Sequence, residues 1–297
     1  MMIISGLEGV RDPFVLRKGN SYYLYGTGLL EGNGNWGNTQ WACYTNHSGR
    51  LDGCWVKTSA PVYEKPSGSS KNLWAPEVHE YQGFYYMFAT YYWEKTGHRG
   101  CTILKAESPE GPFVEITNGH ITPANWDAID GTLYVDPEGQ PWMVFVHEWT
   151  STPDKVGTMA AAKLSADLTH FETEPVELFR ADSPSWTNHY VTDGCFLYTT
   201  KNGTLLMLWS NFDLGGYCVG IARSESGNIL GPWVQEDKRL FCKQREEEYD
   251  GGHGMIFTDT DGQMYLTLHS PNCPTEQFAE RTIFIPIKEE NNTLVID

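Results

Sequence analysis

The chain has 297 residues, is 40% hydrophobic and 13% aromatic, and carries a formal net charge of -17 at pH 7. So large an excess of carboxylates excludes a duplex or other phosphate-rich partner, which needs Lys and Arg to displace its counterions. No apolar run is long enough to span a membrane, and the composition is that of a folded chain with room for a sizeable core.

The first residues, Met1-Met2-Ile3-Ile4-Ser5-Gly6, lack a basic segment followed by an apolar run and read as the start of a cytoplasmic protein without a signal peptide. Cys43, Cys54, Cys101, Cys195, Cys218, Cys242 and Cys273 are scattered, odd in number and without a CxxC pair, which reads as reduced, unligated thiols. The sequons at Asn46, Asn202 and Asn291 matter only in a secreted chain.

From the N-terminus onward one unit returns: a short apolar strand, a polar turn, then a strand rich in aromatic and β-branched residues. The second strands are Ser21–Tyr25, Phe84–Phe88, Trp142–Val146, Leu205–Trp209 and Met264–Leu268. Each follows a turn signal: Lys18-Gly19-Asn20, Gln82-Gly83, Asp136-Pro137-Glu138-Gly139, Lys201-Asn202-Gly203 and Asp259-Thr260-Asp261-Gly262. A second hairpin follows in most copies, with related turns at Ser48–Trp55, Ser108–Phe113 and Ser224–Trp233. Helical signals are almost absent. A repeat of roughly 60 residues suits a propeller blade, so the chain reads as all-β: a five-bladed β-propeller with four antiparallel strands per blade, one domain over residues 1–297. A β-sandwich is the competing architecture.

The first strand of every copy begins with a short polar motif: Arg11-Asp12-Pro13, Trp74-Ala75-Pro76-Glu77, Ile129-Asp130-Gly131, Thr192-Asp193-Gly194 and Gly251-Gly252-His253-Gly254. Stacked as repeats, these motifs align Asp12, Glu77, Asp130, Asp193 and His253, which would then form a ring at one end of the axis. Each Asp alone reads as a turn residue. Together, crowded carboxylates raise one another's pKa, an arrangement suited to acid/base chemistry.

These motifs, in this order and spacing, resemble glycoside hydrolase family 43 over essentially the full chain. The resemblance implies an inverting exo-glycosidase that removes pentose residues, as α-L-arabinofuranosides or β-D-xylosides, from a small oligosaccharide substrate, with no cofactor required. It implies that Asp12 activates the water, that Asp130 tunes and orients the acid, and that the acid comes from the fourth blade. The family usually has Glu there, whereas this chain has the shorter Asp193. Glu148, in His147-Glu148-Trp149, is the substitute acid. His253 has no Cys or His at zinc-ligand spacing, and the resemblance sets it near a water network or a hydrated calcium.

Trp74 and Glu77 are candidate substrate contacts, and Arg281 is a candidate to reach the site from the last blade. Trp36, Trp126 and Trp149 flank the motifs as candidate walls or as packing between blades. The Gly-rich stretch Leu30–Asn38 reads as a lid or a plain loop, since it lacks the ending of a phosphate loop. A cytoplasmic setting would favour short imported oligosaccharides over polymers. The competing function is a carbohydrate-binding propeller that has lost catalysis; a protein-interaction propeller leaves the carboxylates unexplained.

Overall fold

The computed structural model describes residues 2–28, 40–58, 62–245, 248–272 and 280–297. All regular secondary structure among them is β. Strand β1 (Met2–Glu8) belongs to the last sheet. Blade one is β2 (Val10–Lys18), β3 (Ser21–Gly28), β4 (Trp41–Asn46) and β5 (Val56–Lys57); blade two is β6 (Ser69–Tyr81), β7 (Phe84–Trp93), β8 (His98–Ala106) and β9 (Val114–Glu115). Blade three is β10 (Ala128–Val135), β11 (Pro141–His147), β12 (Thr158–Lys163) and β13 (Val176–Arg180); blade four is β14 (Asp193–Thr199), β15 (Leu205–Asp213), β16 (Gly216–Ser224) and β17 (Trp233–Gln235).

Blade five departs from the expected four strands. Its β18 (Gly252–Thr258), β19 (Met264–Ser270) and β20 (Arg281–Glu290) carry two short strands on the outer side, β1 and β21 (Thr293–Ile296). β1 lies opposite Ile283 and Phe284, β21 opposite Ile287 to Glu290, so both ends of the described chain close the ring on one strand. The first strands β2, β6, β10, β14 and β18 each contact the next and the last contacts the first, which makes a five-bladed propeller.

Period-two alternation explains how the blades stack. On β11, Trp142, Val144 and Val146 pack toward blade four, while Met143 and Phe145 pack toward blade two. On β15, Leu205, Met207 and Trp209 face blade three, and Leu206 and Leu208 face blade five. Both faces of these strands are covered, which is why they read as continuous apolar runs. Truncating a fully buried Leu206 to Ala would cost about 2–5 kcal/mol.

The hairpins between first and second strands close at the end opposite the polar motifs. In blades three and five the turn is held by an aspartate: Asp136 Oδ1 accepts from the amides of Glu138 and Gln140, and Asp259 Oδ1 from those of Asp261 and Gln263. Gly139 and Gly262 then take the left-handed conformation that a side chain resists.

Candidate active site

Every first strand carries a β-bulge at the same place. The register slips between Arg11 and Phe14, Trp74 and Glu77, Ile129 and Thr132, Asp193 and Phe196, and Gly252 and Met255. At each bulge one residue has positive φ: Asp12 (50°), Ala75 (42°), Asp130 (56°), Gly194 (53°) and His253 (51°). Bulges re-aim side chains, and left-handed residues other than glycine are held only where the surroundings over-determine them.

This corrects the expected alignment. Asp12, Asp130 and His253 do occupy equivalent positions, but Ala75 and Gly194 are their counterparts in blades two and four. Asp193 stands one residue earlier, in register with Ser210, as Arg11 is with Thr27 and Trp74 with Thr90. Glu77 lies two residues further along β6, opposite Phe88, buried, with Oε2 3.2 Å from His79 Nε2.

The bulged amides point away from their own ladder, so each needs an acceptor. Four take one from the second strand of the preceding blade. Ala75 N donates to Thr27 Oγ1 (2.8 Å), Asp130 N to Thr90 Oγ1 (3.0 Å), His253 N to Ser210 Oγ (2.8 Å) and Asp12 N to His269 Nδ1 (3.3 Å). In blade three the matching residue is Val146, opposite Ile129, which has nothing to accept with. The Gly194 amide donates instead to Asp130 Oδ2 at 3.0 Å.

His253 joins the carboxylates, its Nδ1 3.3 Å from Asp12 Oδ1 and 3.7 Å from Asp130 Oδ2. The Thr27 hydroxyl donates to Asp12 Oδ2 at 2.6 Å. Burial pushes Asp12 up, but the His253 imidazole, the Arg11 guanidinium and the Thr27 hydrogen bond outweigh it and hold the carboxyl down at about 2. His269 also faces Asp12, at 3.4 Å, and helps to lower it, but is itself neutral near pH 7: burial and Arg11 push it down to about 3, and its Nε2 donates to Asn272 Oδ1 at 3.1 Å.

Asp193 is pushed the other way. Burial and the Asp130 carboxylate raise it to about 8, against the His253 imidazole and a 3.1 Å hydrogen bond from the Tyr217 hydroxyl. Asp130 is raised too, by burial and Asp12, while the Gly194 N–H favours its charged form. The two carboxyls therefore titrate as a pair. One site holds an ionised carboxylate and a carboxyl that keeps its proton near neutral pH, the combination that acid/base catalysis requires.

Glu148 lies on the rim at the end of blade three and is tied down. Arg99 Nε donates to Glu148 Oε2 at 2.8 Å, with Nη2 at 2.6 Å, and the same guanidinium approaches Asp127 at 3.4 Å. Burial raises Glu148, and Arg99 opposes it. Arg99 also sits 5.5 Å from the Trp74 ring. Trp126 stacks on His147 at 3.7 Å and packs between blades; Trp149 meets Tyr190 at the rim. Trp36 and the stretch Leu30–Asn38 lie outside the described residues.

Arg281 opens β20, the third strand of its blade, in register with Ser270 and Glu8. The arginine beside the carboxylates is Arg11, whose Nη1 bonds Glu280 Oε1 (2.7 Å) and Asn272 O (3.2 Å). Sequence reasoning passed over Arg11, Arg99, Tyr217 and His269; only Arg11 left a signal, by adjoining Asp12. Among the described residues no three His, Cys, Asp or Glu side chains are grouped to hold a metal. The Nδ1 of His253 faces two carboxylates, Asp12 and Asp130.

The model of glycosyl hydrolases family 43 matches residues 6–289. An extracellular exo-α-(1→5)-L-arabinofuranosidase of Cellvibrio japonicus is 23% identical, over 88% of this chain and 78% of its own length. An extracellular endo-α-(1→5)-L-arabinanase of Bacillus subtilis is 28% identical over 48% of this chain and 45% of its own. Among solved structures, an endo-arabinase from Bacteroides thetaiotaomicron superposes with a TM-score of 0.81 at 35% identity over 98% of both chains. A thermostable family-43 glycoside hydrolase gives 0.84 at 21% identity, over 99% of this chain and 94% of its own.

The two curated relatives named above are extracellular, which overturns the cytoplasmic reading of the first residues and the preference for imported oligosaccharides built on it. The reason is physical: a leader is no part of the folded propeller, so the residues that build the blades carry no mark of the compartment. A family match over nearly the whole chain, on a ring of five sheets that a 35% identical relative shares end to end, makes this protein a glycosidase belonging to glycosyl hydrolase family 43.

Proposed function

We propose that the protein is an inverting glycosidase that releases single pentose residues from oligosaccharide ends, with α-L-arabinofuranosides as the favoured substrate and β-D-xylosides second. The observation that carries this is the divergence of two carboxyls in one site, Asp12 held at about 2 and Asp193 raised to about 8. Asp12 accepts a proton from water as the water oxygen bonds to the anomeric carbon. The bond from that carbon to the leaving oxygen breaks, and Asp193 gives its proton to that oxygen. The products are a free sugar of inverted configuration and a shortened chain.

Asp130 orients the acid through the Gly194 amide, next to Asp193 in the chain, and adds to burial in raising the Asp193 carboxyl. Trp74, Glu77 and His253 are the proposed substrate-binding groups carried over from the family motifs, and Arg281, from the last blade, is proposed beside them. Arabinose is favoured because three of the four similar proteins named above are an arabinofuranosidase, an arabinanase and an endo-arabinase. Exo action follows the first of these, and the endo-acting relatives define the alternative. A binding propeller without turnover is the competing reading, motivated by the shorter acid.

The test is hydrolysis of aryl α-L-arabinofuranoside, aryl β-D-xyloside and linear arabinan, with the anomer released followed by NMR. Single arabinose residues of inverted configuration are expected from the first and third. Internal cleavage of arabinan would remove the exo assignment, retention would remove the water mechanism, and sugar binding without turnover would leave the binding reading.

A further inference from the structure

A ladder of rings leads from the acid to the rim. The Tyr217 hydroxyl donates to Asp193 at 3.1 Å, and the Tyr217 ring lies 5.0 Å from Phe212. Phe212 meets His189 at 4.8 Å, His189 stacks on Tyr190 at 4.4 Å, and Tyr190 meets Trp149 edge-on at 4.8 Å. Tyr190 is 41% exposed at the top of this ladder.

The rings are held in place from behind. Thr187 Oγ1 donates to Phe212 O and accepts from His189 N at 2.9 Å, Tyr190 O accepts from Gly157 N at 2.8 Å, and Thr152 Oγ1 donates to Trp149 O at 3.3 Å. A fixed ring loses little freedom when a ligand settles on it. No charge sits on the ladder: burial pushes the His189 pKa down, so its imidazole stays neutral. An uncharged aromatic face on a strongly acidic molecule suits a neutral ligand with apolar ring faces, which a sugar presents.

Position selects the part of the sugar chain. Tyr190 precedes Asp193 by three residues and Trp149 follows Glu148, so both rings stand on the acid's side of the site, across from Asp12 in blade one. The acid protonates the leaving oxygen, and the sugar attached to that oxygen must lie beside the acid. Resting on the glycosidase reading above, we propose that Trp149 and Tyr190 form a stacking shelf for the leaving-group sugars of a neutral pentose oligosaccharide.

The test compares kcat/KM for a pentosyl fluoride, which has no leaving-group sugar, with that for the linear di-, tri- and tetrasaccharides. In the wild type the oligosaccharides should gain over the fluoride with each sugar that reaches the shelf. Tyr190→Ala and Trp149→Ala should lower the ratio of oligosaccharide to fluoride by on the order of 10-fold, mostly in KM. Tyr190→Phe keeps the ring and should restore the ratio to within about twofold. Equal losses on fluoride and oligosaccharides, or a Phe variant as poor as Ala, would overturn the shelf while leaving the glycosidase reading intact. Turnover of neither substrate by the wild type would sink the glycosidase reading and the shelf with it.

Discussion

The Gly194 amide donates to Asp130 Oδ2 at 3.0 Å because Val146, where the other blades have Thr27, Thr90, Ser210 and His269, offers no acceptor. A missing hydroxyl in blade three thereby couples two blades through the site, and Asp130 becomes the group that sets where Asp193 stands.

Val146→Thr supplies the missing acceptor with little change of volume. The Gly194 amide is then shared with the hydroxyl, and Asp130, faced by Asp12, Glu77, Glu148 and the His253 imidazole, loses the hydrogen bond that favours its charge. The shared proton moves toward Asp130, so Asp193 ionises more easily. The basic limb of kcat/KM against pH should move to lower pH by on the order of one unit. Val146→Ala removes bulk without adding an acceptor and should leave that limb in place, costing stability alone. Equal profiles for the Thr and Ala variants would disprove the coupling.

Asp12→Asn removes the proton acceptor for the attacking water. Turnover of every glycoside should fall on the order of 10³-fold or more, with the circular dichroism and melting profile of a folded propeller retained. Near-normal turnover would remove Asp12 from the base role.

The pH profile should be bell-shaped and unusually broad. Activity needs Asp12 ionised and Asp193 protonated, so it should hold from just above about 2 and fall as pH passes about 8. Asp193→Ala should abolish the basic limb and lose far more activity on poor leaving groups than on activated aryl glycosides, which need little protonation. Glu148→Ala removes one partner of Arg99 and should affect both substrate types about equally. Leaving-group dependence that follows Glu148 would transfer the acid role to the rim.

Asp193 also links stability to pH. Its folded pKa is raised, so its contribution is present below the unfolded value of about 3.9 and lost as pH rises toward about 8. Asp193→Asn needs no proton there. Its melting temperature should exceed the wild type's by a few degrees at pH 8, with the gap closing near pH 4. A constant gap across that range would show that Asp193 carries no shifted titration.

The repeat, the hairpin turns and the strand class were legible in the sequence because they depend on local rules: period-two alternation on β11 and β15, and turn residues such as Asp136 with Gly139. The polar motifs were legible as positions along strands, and their order pointed to the family. What tertiary structure alone decided is the direction each motif faces. A β-bulge inserts a residue without changing composition, so Asp193 and Glu77 looked equivalent to Asp12 although Gly194 and Ala75 hold the bulged position. The groups that surround the carboxyls arrive from other strands: Tyr217 from β16, His269 from β19, and Glu280 and Asn272, the latter 261 residues from the Arg11 it binds. Ring closure brings them together, and no local pattern encodes a contact whose partner is chosen by the opposite side of a ring.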